Sequence, residues 1–345
     1  MSYNLFQEVK TVEESKDSAC YFPLQNGRYE VKPGMMLLDS NFANNKVDNQ
    51  LFQIDSNFSD YRRAKLAARS SNLSKYYQTY NYSNAVASSV AELIINRLSY
   101  EYPQYFHYSD DGNNLVFYNH LTEETLYLNA NLELLKCELS NKNIFSAYVS
   151  TLDALAAQIQ SDIVVISRNE NDENWMSAIH LCYPNHWSAE EKIGKDFATV
   201  HLPVAGIEKI NQRAKAIVNT MIARKPMVRF AWGLSTDTRL NHHPEPPDGV
   251  TSKEWYGRKF DQTNPKLFLR IERQVIWGLP KYDAAIFTIR TYFRDCQIIK
   301  RDAVLNDKLY KAIESMTPES LIYKGLAESK QDILAWLKEE SKVKG

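Results

Sequence analysis

LFLRIERQVIWGLPKYDAAIFTIRTYF, residues 267–293, reads as two long strands folded back on each other. β-Branched, aliphatic and aromatic residues dominate both runs, and Pro280-Lys281-Tyr282-Asp283 between them marks a tight turn. Side chains alternate faces along a strand. In the first run Phe268, Arg270, Glu272, Gln274 and Ile276 share one face, while Leu269, Ile271, Arg273, Val275 and Trp277 share the other. The second face is apolar apart from Arg273, and a lone arginine on a core face calls for a carboxylate or another anion. The first face carries Arg270 and Glu272 two residues apart. They either line a polar pocket or form a weak, solvated ion pair.

Working outward, MVRFAWGL (227–234) reads as a third strand, and DIVVISR (162–168) and WMSAIHLCYP (175–184) as two earlier ones. Between the two groups, SAEEKIG suggests a short helix with Ser188 as its cap, and residues 205–223 form the best amphipathic helix of the chain. Two strands, a helical connection and three strands predict an α+β protein with a five-stranded antiparallel sheet and helices across one face. PAS-type domains use that order. Further helices are expected over 83–99 and 147–160, with a hairpin of LVFY and TLYLN between them. Residues 1–60 read as irregular, and 61–69 as a helical turn or two. Thr317-Pro318 caps a helix in the C-terminal remainder. The expected organisation is an N-terminal helical and hairpin segment (1–160), a PAS-like core (161–295) and C-terminal helices (296–345), packed as one compact unit.

Composition narrows the function classes. The chain has 345 residues, 44% hydrophobic and 24% charged, and a formal net charge of −1. No K/R-rich run is present to track a polyanion, so nucleic acid is not an expected partner. No apolar run approaches the ~18 residues of a membrane span, and the first residues lack a signal-peptide core. Cys20, Cys137, Cys182 and Cys296 are scattered without a CxxC pair, which fits a reducing, cytoplasmic setting. Neither a dinucleotide fingerprint nor a P-loop occurs.

KIGKDFATVHLPVAGIEKINQ (192–212) holds the most informative histidine. It reads as a short extended run with Phe197, Thr199 and His201 on one side, stopped by Pro203 before a helix. A corner histidine there either binds a metal or haem iron through a free ring nitrogen, or is satisfied by backbone hydrogen bonds. His180, His186 and Cys182 lie nearby, but the spacing matches no zinc pattern. His242-His243 precede PEPP in an expected surface loop. Arg229 shares a strand face with Met227, Ala231 and Gly233. Such small neighbours admit a flat ligand, and the guanidinium can hydrogen-bond dioxygen or pair with a propionate. Otherwise it reaches solvent from the strand end.

The chain resembles the haem-dependent oxidative N-demethylase-like family. PGMMLLD (33–39), QLFQIDSNFSDYRRAK (50–65), QSDIVVI (160–166), CYPNHWSAEEKIGKDFATVHLPV (182–204) and RIERQVIWGLPKYDAAIFTIRTY (270–292) carry the match. The resemblance implies a PAS-like domain binding haem b through a histidine, with His201 of VHLPVA as axial ligand. It implies oxidation of a small alkylamine by O2 with release of formaldehyde, and Arg229, Arg270 and Glu272 as the catalytic side chains. Arg229 and Arg273 become candidate cofactor contacts. Electrons are implied to come from an external flavin or iron–sulfur reductase, or a ferredoxin-type donor. Where the family tends to show RxNW, this chain has RFAW, so Ala231 replaces an amide residue. A non-catalytic haem-binding sensor or carrier is the competing expectation, and an interaction module without haem a third.

Overall fold

The computed structural model describes residues 4–110, 114–139, 147–256 and 259–339. Their strands are β1 (Met36–Leu37), β2 (Tyr77–Thr79), β3 (Phe106–Asp110), β4 (Asn114–Asn119), β5 (Glu124–Asn129) and β6 (Leu134–Leu139). β7 (Asp162–Arg168), β8 (Asn174–His180), β9 (Met227–Ser235), β10 (Phe268–Leu279) and β11 (Ala284–Asp295) follow. β3 to β6 form an antiparallel meander of their own, which includes the hairpin expected from LVFY and TLYLN. The remaining seven form one sheet in the order β1-β9-β10-β11-β7-β8-β2.

The five strands read from sequence stand at its centre, every neighbouring pair antiparallel. The sheet is wider than five because β1 pairs with β9 and β2 with β8 at the two edges. Each added strand is two or three residues long, too short for an alternation of period two to register. Helix packing closes the sheet from one side. The helix Ala214–Ala223 comes so near β10 that a Cβ on Gly278 would lie 2.1 Å from the Ile222 carbonyl oxygen. Glycine is required there by the close approach of two backbones.

The opposite face meets the main core, where Val228, Val275, Ile163 and Val165 pack with Leu51, Phe52, Ile94 and Leu155. The N-terminal segment and the sheet thus share one hydrophobic cluster. The polar run at 61–69 belongs to a longer helix, Phe58–Tyr76, kinked at Asn72. It hides two of its charges: Lys65 Nζ donates to the Ala156, Ile159 and Ser161 carbonyls, and Arg69 grips Asp153. Charged residues that face inward give no amphipathic signature, so the pattern understated the helix.

Two local expectations are corrected. Phe197–His201 is a short helix, not an extended run, and the Asp196 carboxylate accepts from Thr199 N at 2.7 Å as its cap. Over five residues the two periods differ only at Thr199, since residues four apart share a face in both and residues two apart do so only in a strand. The amphipathic stretch 205–223 divides into Glu208–Asn211 and Ala214–Ala223, with Arg213 (φ −108°, ψ 13°) between them. Among the described residues no helix is long and apolar enough to cross a membrane.

Candidate functional site

A cavity of about 1260 Å³ lies between the sheet and this broken helical cover. Ligand sites commonly span ~300–1,000 Å³, so this cavity is large for a ligand site. Its floor is the face predicted from alternation: Arg229, Ala231 and Gly233 from β9, and Arg270, Glu272, Gln274 and Ile276 from β10. Register sets Ala231 opposite Glu272 and Gly233 opposite Arg270. Val164, Ile166, Ile179, Phe287 and Ile289 extend the floor as apolar wall, and His201, Ile207, Ile217 and Met221 come from the cover.

His201 ends its short helix with the ring lying against Phe197, centroids 4.3 Å apart. Nδ1 sits 2.7 Å from the Phe197 carbonyl oxygen. A carbonyl can only accept, so Nδ1 carries the proton and Nε2 keeps its lone pair. Burial pushes the His201 pKa down, against the pull of that carbonyl, and the charges of Arg229 and Lys192 add to the fall. The ring is therefore neutral at neutral pH. Metal-bound histidines are held in this way, the second nitrogen donating to a carbonyl or carboxylate that fixes the tautomer.

Arg229 leaves its buried Nε without a hydrogen-bond partner among the described residues. Burial works against its charge, and the Glu272 carboxylate works for it. Glu272 is held in place by Gln274 Nε2, which donates to Oε2 at 3.0 Å, and by Arg270 Nε, 3.7 Å from Oε1. Arg270 has little freedom left. Its Nη1 donates to the Arg239 and Leu240 carbonyls and its Nη2 to that of Tyr183 at 2.8 Å, tying two loops to β10.

Arg273 does not join them. It lies on the opposite face, where Nη2 donates to the Asp48 and Gln50 carbonyls at 2.8 Å each. Backbone oxygens meet the need for a partner that alternation had assigned to an anion. His180 also faces away from the cavity, with Nε2 3.1 Å from Asp153 Oδ1, so the three histidines His180, His186 and His201 do not converge. Ligand atoms of Asp162, His180 and Cys182 do lie within 4.8 Å of one another. Both Asp162 oxygens, however, accept backbone N–H groups, from Cys182 and Tyr183, and Lys65 Nζ stands 3.9 Å away. That cluster is a satisfied structural network. The His242-His243 loop, expected at the surface, is buried: His242 Nε2 meets Asp237 at 3.0 Å, and Trp255 Nε1 donates to the His243 carbonyl.

Sequence reasoning named His186 only as an alternative to His201 and missed Lys324. His186 adopts φ +62° and opens its ring to the cavity, a backbone state that sequence does not advertise. Lys324 arrives from the end of the helix Pro318–Tyr323, nearly a hundred residues from Arg229, and only the tertiary fold brings it in.

The fold is an α+β protein with a large cavity between an antiparallel sheet and a helical cover. Residues 43–334 match the family described as haem-dependent oxidative N-demethylase, alpha subunit-like, and the chain belongs to that family.

Proposed function

We propose that the cavity holds haem b, with His201 as axial ligand, and that the protein oxidatively demethylates a small alkylamine with electrons from an external flavin or iron–sulfur reductase. The observation that carries this reading is the His201 ring, neutral, oriented by the Phe197 carbonyl and open at Nε2. The order β8-β7-β11-β10-β9 of the five central strands, flanked by β2 and β1, supports a PAS-like core. Lining residues fit the group: apolar walls for a macrocycle, and Arg28, Lys32 and Lys192 as cations for its carboxylates.

When bound, haem supplies the iron centre at which dioxygen is activated. The chain's own residues do the rest. Glu272, pinned by Gln274 and Arg270, is positioned to hold a substrate ammonium, and Arg229 has donors free for an oxygen atom or a carboxylate. The apolar walls exclude water, which strengthens both interactions. Each turnover takes up dioxygen, two electrons and two protons, and converts one N–CH3 group to N–H, formaldehyde and water.

A non-catalytic sensor or carrier is the second reading, favoured by Ala231, which stands opposite Glu272 where the family resemblance implies an amide. Haem titration followed by the Soret band tests the first step. Loading by the wild type and its loss in His201→Ala are expected; unchanged loading moves the ligand to His186. Formaldehyde release from methylamines with reductant supplied then separates enzyme from carrier.

A further inference from the structure

The charges around the cavity do not balance. Among the described lining residues, Glu30 pairs with Lys32 at 2.7 Å, Glu191 with Lys192 at 3.0 Å, and Glu272 with Arg270 at 3.7 Å. Arg28, Arg229 and Lys324 remain without a carboxylate. Arg28 is exposed at the mouth and water can satisfy it. Arg229 and Lys324 sit farther in, each half-buried, and both lean on the one carboxylate of Glu272. Two cations that share a carboxylate already paired with Arg270 leave positive charge in excess, which suits a ligand that brings negative charge.

Lys324 caps the helix Pro318–Tyr323 and reaches the edge of β9, where Nζ donates to the Trp232 carbonyl at 2.8 Å. That bond uses one of three ammonium protons. The same ammonium is attracted by Glu272 and repelled by Arg229, so the three side chains sit within electrostatic reach of one another. Between them the floor is low, because Ala231 and Gly233 stand opposite Glu272 and Arg270. One carboxylate held by two fixed partners therefore lies beside two cations with donors to spare, across a gap that small side chains leave open.

We infer that this corner of the cavity binds a zwitterion: an N-methylated amino acid whose ammonium meets Glu272 and whose carboxylate meets Arg229 and Lys324. The inference rests on the demethylase reading and names the substrate class for it. A haem propionate is the other carboxylate that could lie there. Its placement against Glu272 would set like charges together, whereas Arg28 at the mouth offers a cation with no carboxylate beside it. A site that pairs both ends of a zwitterion also rejects the amine lacking one end, because its cations would be left buried and unpaired.

The experiment is calorimetric titration of the haem-loaded protein with N,N-dimethylglycine, its methyl ester and dimethylamine. The free acid is expected to bind at least tenfold more tightly than the other two. Lys324→Met should erase most of that ratio and Lys324→Arg should keep it, with thermal melts showing both variants folded. Haem titrations of the same variants identify the source of the carboxylate. If Lys324→Met weakens haem and leaves the amine ratio intact, the carboxylate is a propionate and the inference falls. Equal binding of acid, ester and dimethylamine overturns it as well, while formaldehyde release from dimethylamine would leave the demethylase reading standing. Absence of haem loading removes that reading itself, and is scored separately by the Soret band.

Discussion

The two faces of the central sheet carry the same kinds of charged residue to opposite ends. On the core face Arg290 donates to Asp55 at 2.8 Å and to the Thr291 carbonyl, with its guanidinium 3.9 Å from the centroid of the Tyr61 ring. Arg273 spends two bonds on carbonyls, and Arg69, Asp153 and His180 close a buried chain of contacts. On the cavity face Arg229 and Lys324 lack a carboxylate, and the Glu272 carboxylate is shared with Arg270. Arg273 and Arg290 also leave Nε without a partner, but their Nη groups are bonded, and buried charge paired in that way holds architecture together. Under-satisfied buried charge on a concave face marks the place where a ligand completes the balance.

The contrast breaks most visibly on the core side. Asp153→Ala removes the partner of Arg69 and His180 and leaves a guanidinium buried, which should cost roughly 3–5 kcal/mol in urea unfolding. A loss under about 1 kcal/mol would mean that the network is not what ties the helix Phe58–Tyr76 to the sheet. Gly278→Ala is next: the added Cβ meets the Ile222 carbonyl at 2.1 Å, and the helix must shift. About 1–3 kcal/mol of destabilisation is expected, with ligand loading falling as the cover of the cavity moves. Wild-type stability would show that the helix yields without strain.

On the cavity side the sign changes. Arg229→Met deletes a charge that burial already disfavours, so stability should hold within about 1 kcal/mol of wild type or rise. Binding of amine or haem should fall at the same time. A large loss of stability with unchanged binding would move Arg229 into the architectural class and erase the difference between the faces.

Much of this was legible before the structure. Alternation along β9 and β10 gave the two faces, and Asp162–Arg168 has the bounds read from its β-branched run. Alternation gave the face of each strand separately, the family resemblance brought Glu272 and Arg229 into one site, and the β9–β10 register puts them on one floor. The partners of Arg273 could not be foreseen, since the Asp48 and Gln50 carbonyls come from a segment with no periodic pattern. Five residues around His201 could not separate a helical turn from a strand. Lys324 required the C-terminal helices to fold back on β9, and no local signal encodes that.

The finest test lies in pH. Burial pushes His186 down to about 4, with repulsion from His242, Arg270 and Arg239 in support and the carboxylate of Asp237 opposing. Its ordinary value is 6.5, so between about 4 and 6.5 the unfolded chain binds more protons than the folded one. Stability therefore rises with pH across that window. The contribution is complete above 6.5 and is lost as pH falls toward 4. His186 nonetheless keeps an exposed side, so its effect on unfolding should be the smallest of the series. His186→Gln should flatten the slope of stability between pH 6.5 and 4. Imidazole resonances followed by NMR should still report a neutral His186 at pH values where a free histidine is half protonated. A midpoint near 6.5 would mean that the ring sits in bulk-like water. The cavity face would then have lost the low-dielectric character that sets its under-paired charges apart from those of the core.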